Sequence, residues 1–157
     1  MSPRNNAVCK CFASFTCGNA FCSIIPHATG RTAYYTAPIK ALFARVRLAA
    51  LEHTRELGNL DENWGHGERA WEAALDDYFA EHNESRLDGD ARSAAYLSID
   101  ESPEAEQHLW HVRQIFLDEN ADGDFRIEAD VNLDATQEEG EVIFKNYRVG
   151  FVEDLAE

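Results

Sequence analysis

The chain has 157 residues and carries 14 Lys and Arg against 29 Asp and Glu, a net charge of −15 at pH 7. Its 45% hydrophobic fraction with three Trp excludes wholesale disorder, and its length suits one domain around a single core, plus a tail. No run reaches the roughly 18 apolar residues that a membrane-spanning helix needs, so no membrane contact is expected.

Residues 1–30 hold all four cysteines, Cys9, Cys11, Cys17 and Cys22, followed by His27. Zinc sites pair their ligands in C-x2-C knuckles on a tight turn, and the spacing C-x-C-x5-C-x4-C lacks that pairing. The segment therefore reads as an unstructured tail with reduced thiols and no metal. Cys11 to Ile25 follows Arg4 and Lys10 as a signal-peptide core would. Polar residues interrupt it and no small-x-small cleavage site follows, so the expected compartment is the cytoplasm.

Thr32 to Thr36 is a short β-prone run, and Pro38 suits the first turn of a helix. Ile39, Leu42, Phe43, Val46, Ala50 and Leu57 then repeat at helical spacing, with Gly58 as the expected stop. A polar link, Asn59 to Gly67, leads to a second helix with the stripe Trp71, Ala74, Leu75, Tyr78 and Phe79. Asp76 and Asp77 are sequence neighbours in that helix and do not face each other, which favours a solvated face over acid–base work.

Asn83 to Arg92 reads as loop, Ala94 to Ile99 as a first strand and Asp100 to Gln107 as an acidic connection. Leu109 to Leu117 is strand-like, and Asp118 to Asp124 is dense in turn formers. Period-two alternation then places Phe125, Ile127, Ala129, Val131 and Leu133 on a dry face, and Arg126, Glu128, Asp130 and Asn132 on a wet one. A turn at Asp134 to Gly140 precedes a last strand, Val142 to Val152. There Ile143, Tyr147, Val149 and Phe151 favour one side, and Val142 and Phe144 the other. The fold expected is α+β, with two or three helices packed on one face of a four-stranded antiparallel meander. Such a sheet also permits a cystatin- or nuclear-transport-factor-like cone. On this reading Phe125→Asp or Val131→Asp unfolds the domain, whereas Glu128→Ala hardly matters.

No catalytic apparatus is visible. Asp118-x-Asn120-x-Asp122-Gly123 opens like a calcium-binding EF-hand loop, but its twelfth position is Ala129 and its flanks have strand period, so a hairpin loop is expected. None of the six His sits in an H-E-x-x-H pair, and His111 beside Trp110 reads as a partly buried structural residue. There is no G-x-S-x-G elbow and no G-x-x-x-x-G-K-[ST] phosphate loop, so neither an enzyme nor a cofactor is expected. Trp71, Tyr78, Phe79, Trp110 and Phe116 either fill the core or line a pocket between helices and sheet, for a small ligand or for dimerisation. Charge adds one constraint. Residues 1–57 carry seven basic and two acidic residues, and residues 58–157 carry seven basic and 27 acidic ones. The second part repels phosphate backbones and should not bind nucleic acid alone.

Two segments resemble pieces of one family. Thr32 to Leu42, TAYYTAPIKAL, resembles the strand and motif Ia of superfamily-two DEAD/DEAH-box RNA helicases of the superskiller-like branch. The resemblance implies that Thr36, Pro38 and Lys40 are remnants of a contact with the RNA backbone. The stretch from Leu42 to Val149 is similar to a C-terminal domain of unknown function appended to such helicases in actinobacteria. ALFARVRLAAL, WEAALDDYFAEH, WHVRQIFLDENADGDFRIEADVNLDAT and EVIFKNYRV carry that likeness. The implied organisation is a tail (1–30), a motif Ia-like remnant (31–42) and a helicase-associated domain (43–157). The DExH box and second RecA-like domain do not intervene between the two pieces. The expectation is a truncated or chimeric helicase fragment, an accessory binding module without ATPase activity whose partners are other helicase parts or a second copy of itself.

Overall fold

A computed structural model describes residues 32–101 and 108–156. The cysteine-bearing tail, most of the Asp100–Gln107 connection and the C-terminal residue lie outside the described residues, as do the expectations that fall on them. Three helices come first: α1 (Thr32–Ala50), α2 (Thr54–Asp61) and α3 (Glu68–Glu81). Strands β1 (Leu97–Asp100), β2 (Leu109–Ile115), β3 (Phe125–Asn132) and β4 (Phe144–Phe151) form one antiparallel sheet in sequence order. A short helix α4 (Leu133–Glu139) joins β3 to β4, and α5 (Val152–Leu155) follows. The α+β meander expected from the sequence is the fold observed.

The register explains where the core sits. Ile99 pairs with Val112, Val112 with Ala129, Gln114 with Ile127 and Val131 with Phe144, so these residues share one face. Leu42, Val46 and Ala49 of α1, Leu57 of α2, and Trp71, Leu75 and Tyr78 of α3 close over that face in a single buried cluster. Each large side chain so buried contributes on the order of 1.5–3 kcal/mol. The aromatic centre is tight. Tyr78 and Phe125 lie 4.9 Å apart, and Phe116 and Phe125 meet edge to face at 5.0 Å.

Several local expectations are corrected. Thr32 to Thr36 is helical rather than extended: the helix-forming run from Lys40 to Ala50 propagates back through it, and its β preference is worth well under about 1 kcal/mol per residue. Pro38 therefore lies inside α1, where its ring nitrogen leaves the Tyr34 carbonyl without its usual partner. The helix does not run on to Gly58. It ends in a Schellman turn, with Glu52 N–H bonded to Ala49 O, His53 N–H bonded to Leu48 O, and Glu52 at φ 55°. Gly58 sits buried inside α2, where an added Cβ would fall 2.6 Å from Glu68 Cα. Its hydrogen side chain lets α2 and the start of α3 touch.

The polar link after Gly58 is in fact the end of α2 and a 3-10 turn, Glu62–Trp64, and it contains the fully buried Asp61. The Asp134–Gly140 turn is α4, capped by the Asn132 side chain accepting from Ala135 N–H and closed by Gly140 at φ 76°. In β4, Phe144 does not face away from Tyr147. Asp130 pairs with Lys145 and Glu128 with Arg148, so Asn146 and Tyr147 together oppose Ala129. This bulge, with Asn146 at φ 49°, turns both aromatic rings into the core. Finally, Glu128 is on the wet face but only 4% exposed, held by Arg126 at 2.6 Å and Arg148 at 3.0 Å. It is not a free surface carboxylate.

Candidate functional site

The residues of α1 build a groove. Ile39, Phe43 and Ala44 of this helix, with Leu97 of β1 and Gln114 of β2, floor a depression of about 340 Å³. Lys40 and Arg47, seven residues apart on one helix face, and Arg92 from the turn before β1 stand around it. The Arg92 guanidinium lies over the Phe43 ring at 5.4 Å. None of these three cations forms an ion pair with a described carboxylate. Gln114 is locked beneath, its amide donating to the carbonyls of Tyr96 at 3.1 Å and Ile115 at 3.0 Å.

Behind the groove lies a buried polar cluster. Asp61 Oδ1 accepts from Arg45 at 2.7 and 2.6 Å, and Oδ2 accepts from Trp71 Nε1 at 3.0 Å and the Tyr147 hydroxyl at 2.9 Å. Burial, then the neighbouring Asp61 carboxylate, pushes the Tyr147 hydroxyl well above its ordinary range. His66 packs edge-on to Trp71 at 5.0 Å, and burial lowers its pKa against the opposing pull of Asp61.

The β2–β3 loop is organised by Asp118. Its carboxylate accepts N–H bonds from Asn120 at 2.8 Å, Asp122 at 3.1 Å and Gly123 at 3.1 Å. Burial works to raise the Asp118 pKa, but these donors outweigh it and hold the carboxyl below its ordinary range. His82, the residue that ends α3, reaches Asp124 through Nε2 at 2.9 Å.

A family model described as a domain of unknown function (DUF3516) matches residues 25–149. The chain belongs to the DUF3516 family. The match takes in α1 together with the sheet. Neither a curated protein nor a solved structure matches the chain.

The candidates read from sequence scatter across this DUF3516 domain. Trp71, Tyr78 and Phe116 are fully buried in the core, and Trp110 packs half-buried against it. Phe79 borders a cleft with Ala50, Glu52, His82, Asn83 and Leu87. Of the motif Ia-like residues, Thr36 is exposed, Pro38 is buried, and Lys40 is exposed at the groove. His111 is half-buried, with Nδ1 2.9 Å from Asp130.

Sequence reading missed Arg47 and Arg92. The seven-residue spacing of Lys40 and Arg47 was a usable signal for the first, whereas Arg92 arrives only through the fold. Chemically, the Asp61 carboxylate is saturated, while His66 Nε2 beside it is buried without a hydrogen-bond partner. Asp61 spends both oxygens inside the core, and a tyrosine held protonated by burial is a poor base. The groove combines apolar area with unneutralised positive charge, which suits binding. Among the described residues, no helix is long and apolar enough to cross a membrane.

Proposed function

We propose that this DUF3516 domain is an accessory module of a DEAD/DEAH-box RNA helicase that acts by binding and has no ATPase activity of its own. The resemblance of TAYYTAPIKAL and of the long C-terminal segments to such helicases supports the helicase association. One observation carries the binding role. In a chain of net charge −15, three cations line an apolar groove with no described carboxylate paired to them. Ion pairs at a surface are worth little, but an apolar partner surface bearing carboxylates would bury the floor and neutralise the rim together. The occupant that fits is an acidic, apolar-studded surface on the helicase's own catalytic core.

Isothermal titration tests this, with the chain added to a helicase core from which the homologous appended domain has been deleted. Binding should weaken at least ten-fold in the Lys40→Glu/Arg47→Glu double variant, and the chain alone should release no phosphate from ATP with RNA present. Binding indifferent to the charge reversal refutes the groove, and ATP hydrolysis refutes the non-catalytic reading. A second reading, a small-ligand site, draws on the groove's volume, which is at the low end for such sites. A ligand there would raise the chain's melting temperature without any partner protein.

A further inference from the structure

The loop Asp118-x-Asn120-x-Asp122-Gly123 opens like a cation-binding loop but offers only Ala129 where the last ligand belongs. The fold brings a donor from elsewhere. A ring nitrogen of His82 and carboxylate oxygens of Asp118 and Asp122 all lie within 4.8 Å of one another. The His82 side chain is only 3% exposed. Its Nε2 meets Asp124, and because an ionised carboxylate only accepts, that contact puts a proton on Nε2. Nδ1 is left sealed from solvent with no hydrogen-bond partner. Buried polar atoms without partners are rare in folded proteins; of the six among the described residues, this one belongs to the residue whose ring also approaches the Asp118 and Asp122 carboxylates.

We propose that His82, Asp118 and Asp122 bind a divalent transition-metal ion, with Asp124 as the positioning residue that orients the imidazole. A carboxylate on one ring nitrogen with metal on the other is the usual arrangement of a metal-bound histidine. Asp118 does double duty. Its N–H bonds from Asn120, Asp122 and Gly123 shape the loop, and three bonds leave a fourth acceptor position for an ion. Asp122 is exposed and its carboxylate accepts no hydrogen bond among the described residues, so it forms the open side where water completes the coordination shell. One imidazole with two carboxylates favours Mn²⁺ or Zn²⁺ over Ca²⁺ and Mg²⁺, which prefer oxygen alone. This inference is independent of the groove.

The probe is Mn²⁺, titrated into the full chain and followed by the electron paramagnetic resonance signal of the free ion. Zn²⁺ is avoided because the four cysteines of residues 1–30 are competing ligands. The expected result is one Mn²⁺ per chain, weakened about ten-fold or more by Asp122→Asn and by His82→Gln, and unchanged by Glu138→Gln. Asp122→Asn removes no bond of the fold, so its melting temperature without metal should equal that of the parent. Absent or non-stoichiometric binding overturns the proposal, as does binding that survives Asp122→Asn. Equal affinity for Ca²⁺ with no effect of His82→Gln would also overturn it, because the imidazole would then take no part.

Discussion

Asp61→Ala isolates the buried polar cluster. The substitution removes the acceptor of four donor contacts: two from Arg45, one from Trp71 and one from Tyr147. Arg45 would remain with its side chain 8% exposed, its charge met by a bond to the Ala41 carbonyl at 2.8 Å and by the Phe144 and Tyr147 rings at 5.1 and 5.9 Å. Breaking a buried ion pair from one side costs about 3–5 kcal/mol, and each neutral donor left unsatisfied costs about 1–3 more. Because these terms share one cavity they do not add fully, and about 5 kcal/mol is a fair expectation. Domains of this size have roughly 5–15 kcal/mol in hand, so the variant should lose about a third of its stability or more. Urea unfolding followed by Trp fluorescence and circular dichroism reads this directly. With a slope of about 2 kcal/mol per molar urea, the midpoint should fall by about 2.5 M. The double variant Arg45→Met/Asp61→Leu, which removes both charges, should recover a large part of the loss. A midpoint shift below about 0.5 M for Asp61→Ala, or a double variant as unstable as the summed singles, would refute the reasoning.

Three further outcomes are expected. Gly58→Ala, which in an open helix stabilises by up to about 1 kcal/mol, should here destabilise by about 1–3 kcal/mol because the new methyl meets the Glu68 backbone; a thermal melt gives the sign. Glu128→Ala should cost about 2 kcal/mol, since it strips Arg126 and Arg148 of their shared carboxylate; a neutral urea midpoint would restore the expectation that this carboxylate hardly matters. His66 gives the pH dependence. Its pKa in the fold is depressed below the ordinary 6.5, so as pH falls through that value the unfolded chain takes up a proton first and stability is lost, while above it the contribution is complete. Urea midpoints at pH 7.5 and 5.5 should therefore differ less in His66→Phe than in the parent chain.

The parts of the fold legible in the sequence were those with strong periodicity. β3 announces itself because Phe125, Ile127, Ala129 and Val131 alternate without interruption, and α3 because Trp71, Leu75 and Tyr78 recur on one helical face. What escaped is governed by contacts distant in sequence. Gly58 looks like a helix stop until the start of α3 is seen against it. The break after Ala50 carries no glycine, since Glu52 itself takes the left-handed position. The bulge at Asn146 shifts the alternation of β4 by one residue, which no period-two template can follow. Asp61 reads as one more acidic link residue because its partners lie 10, 16 and 86 residues away. The groove and the loop share that difficulty: Arg92 and His82 join them only through the fold.

The last of those separations bears on how the domain comes into being on the ribosome. Arg45, Asp61 and Trp71 lie on three successive helices and can meet early, but the hydroxyl that completes Asp61 sits on β4, 86 residues later. Until that strand is synthesised, one acceptor position of Asp61 Oδ2, beside the one taken by Trp71 Nε1, must be served by water. The helices alone should therefore form a loose, hydrated assembly that dries out only when β4 pairs with β3 and delivers Tyr147. A domain assembled in that order locks late and all at once, and a nascent chain stalled before β4 would expose the apolar face of α1 and α3 to whatever binds unfinished proteins.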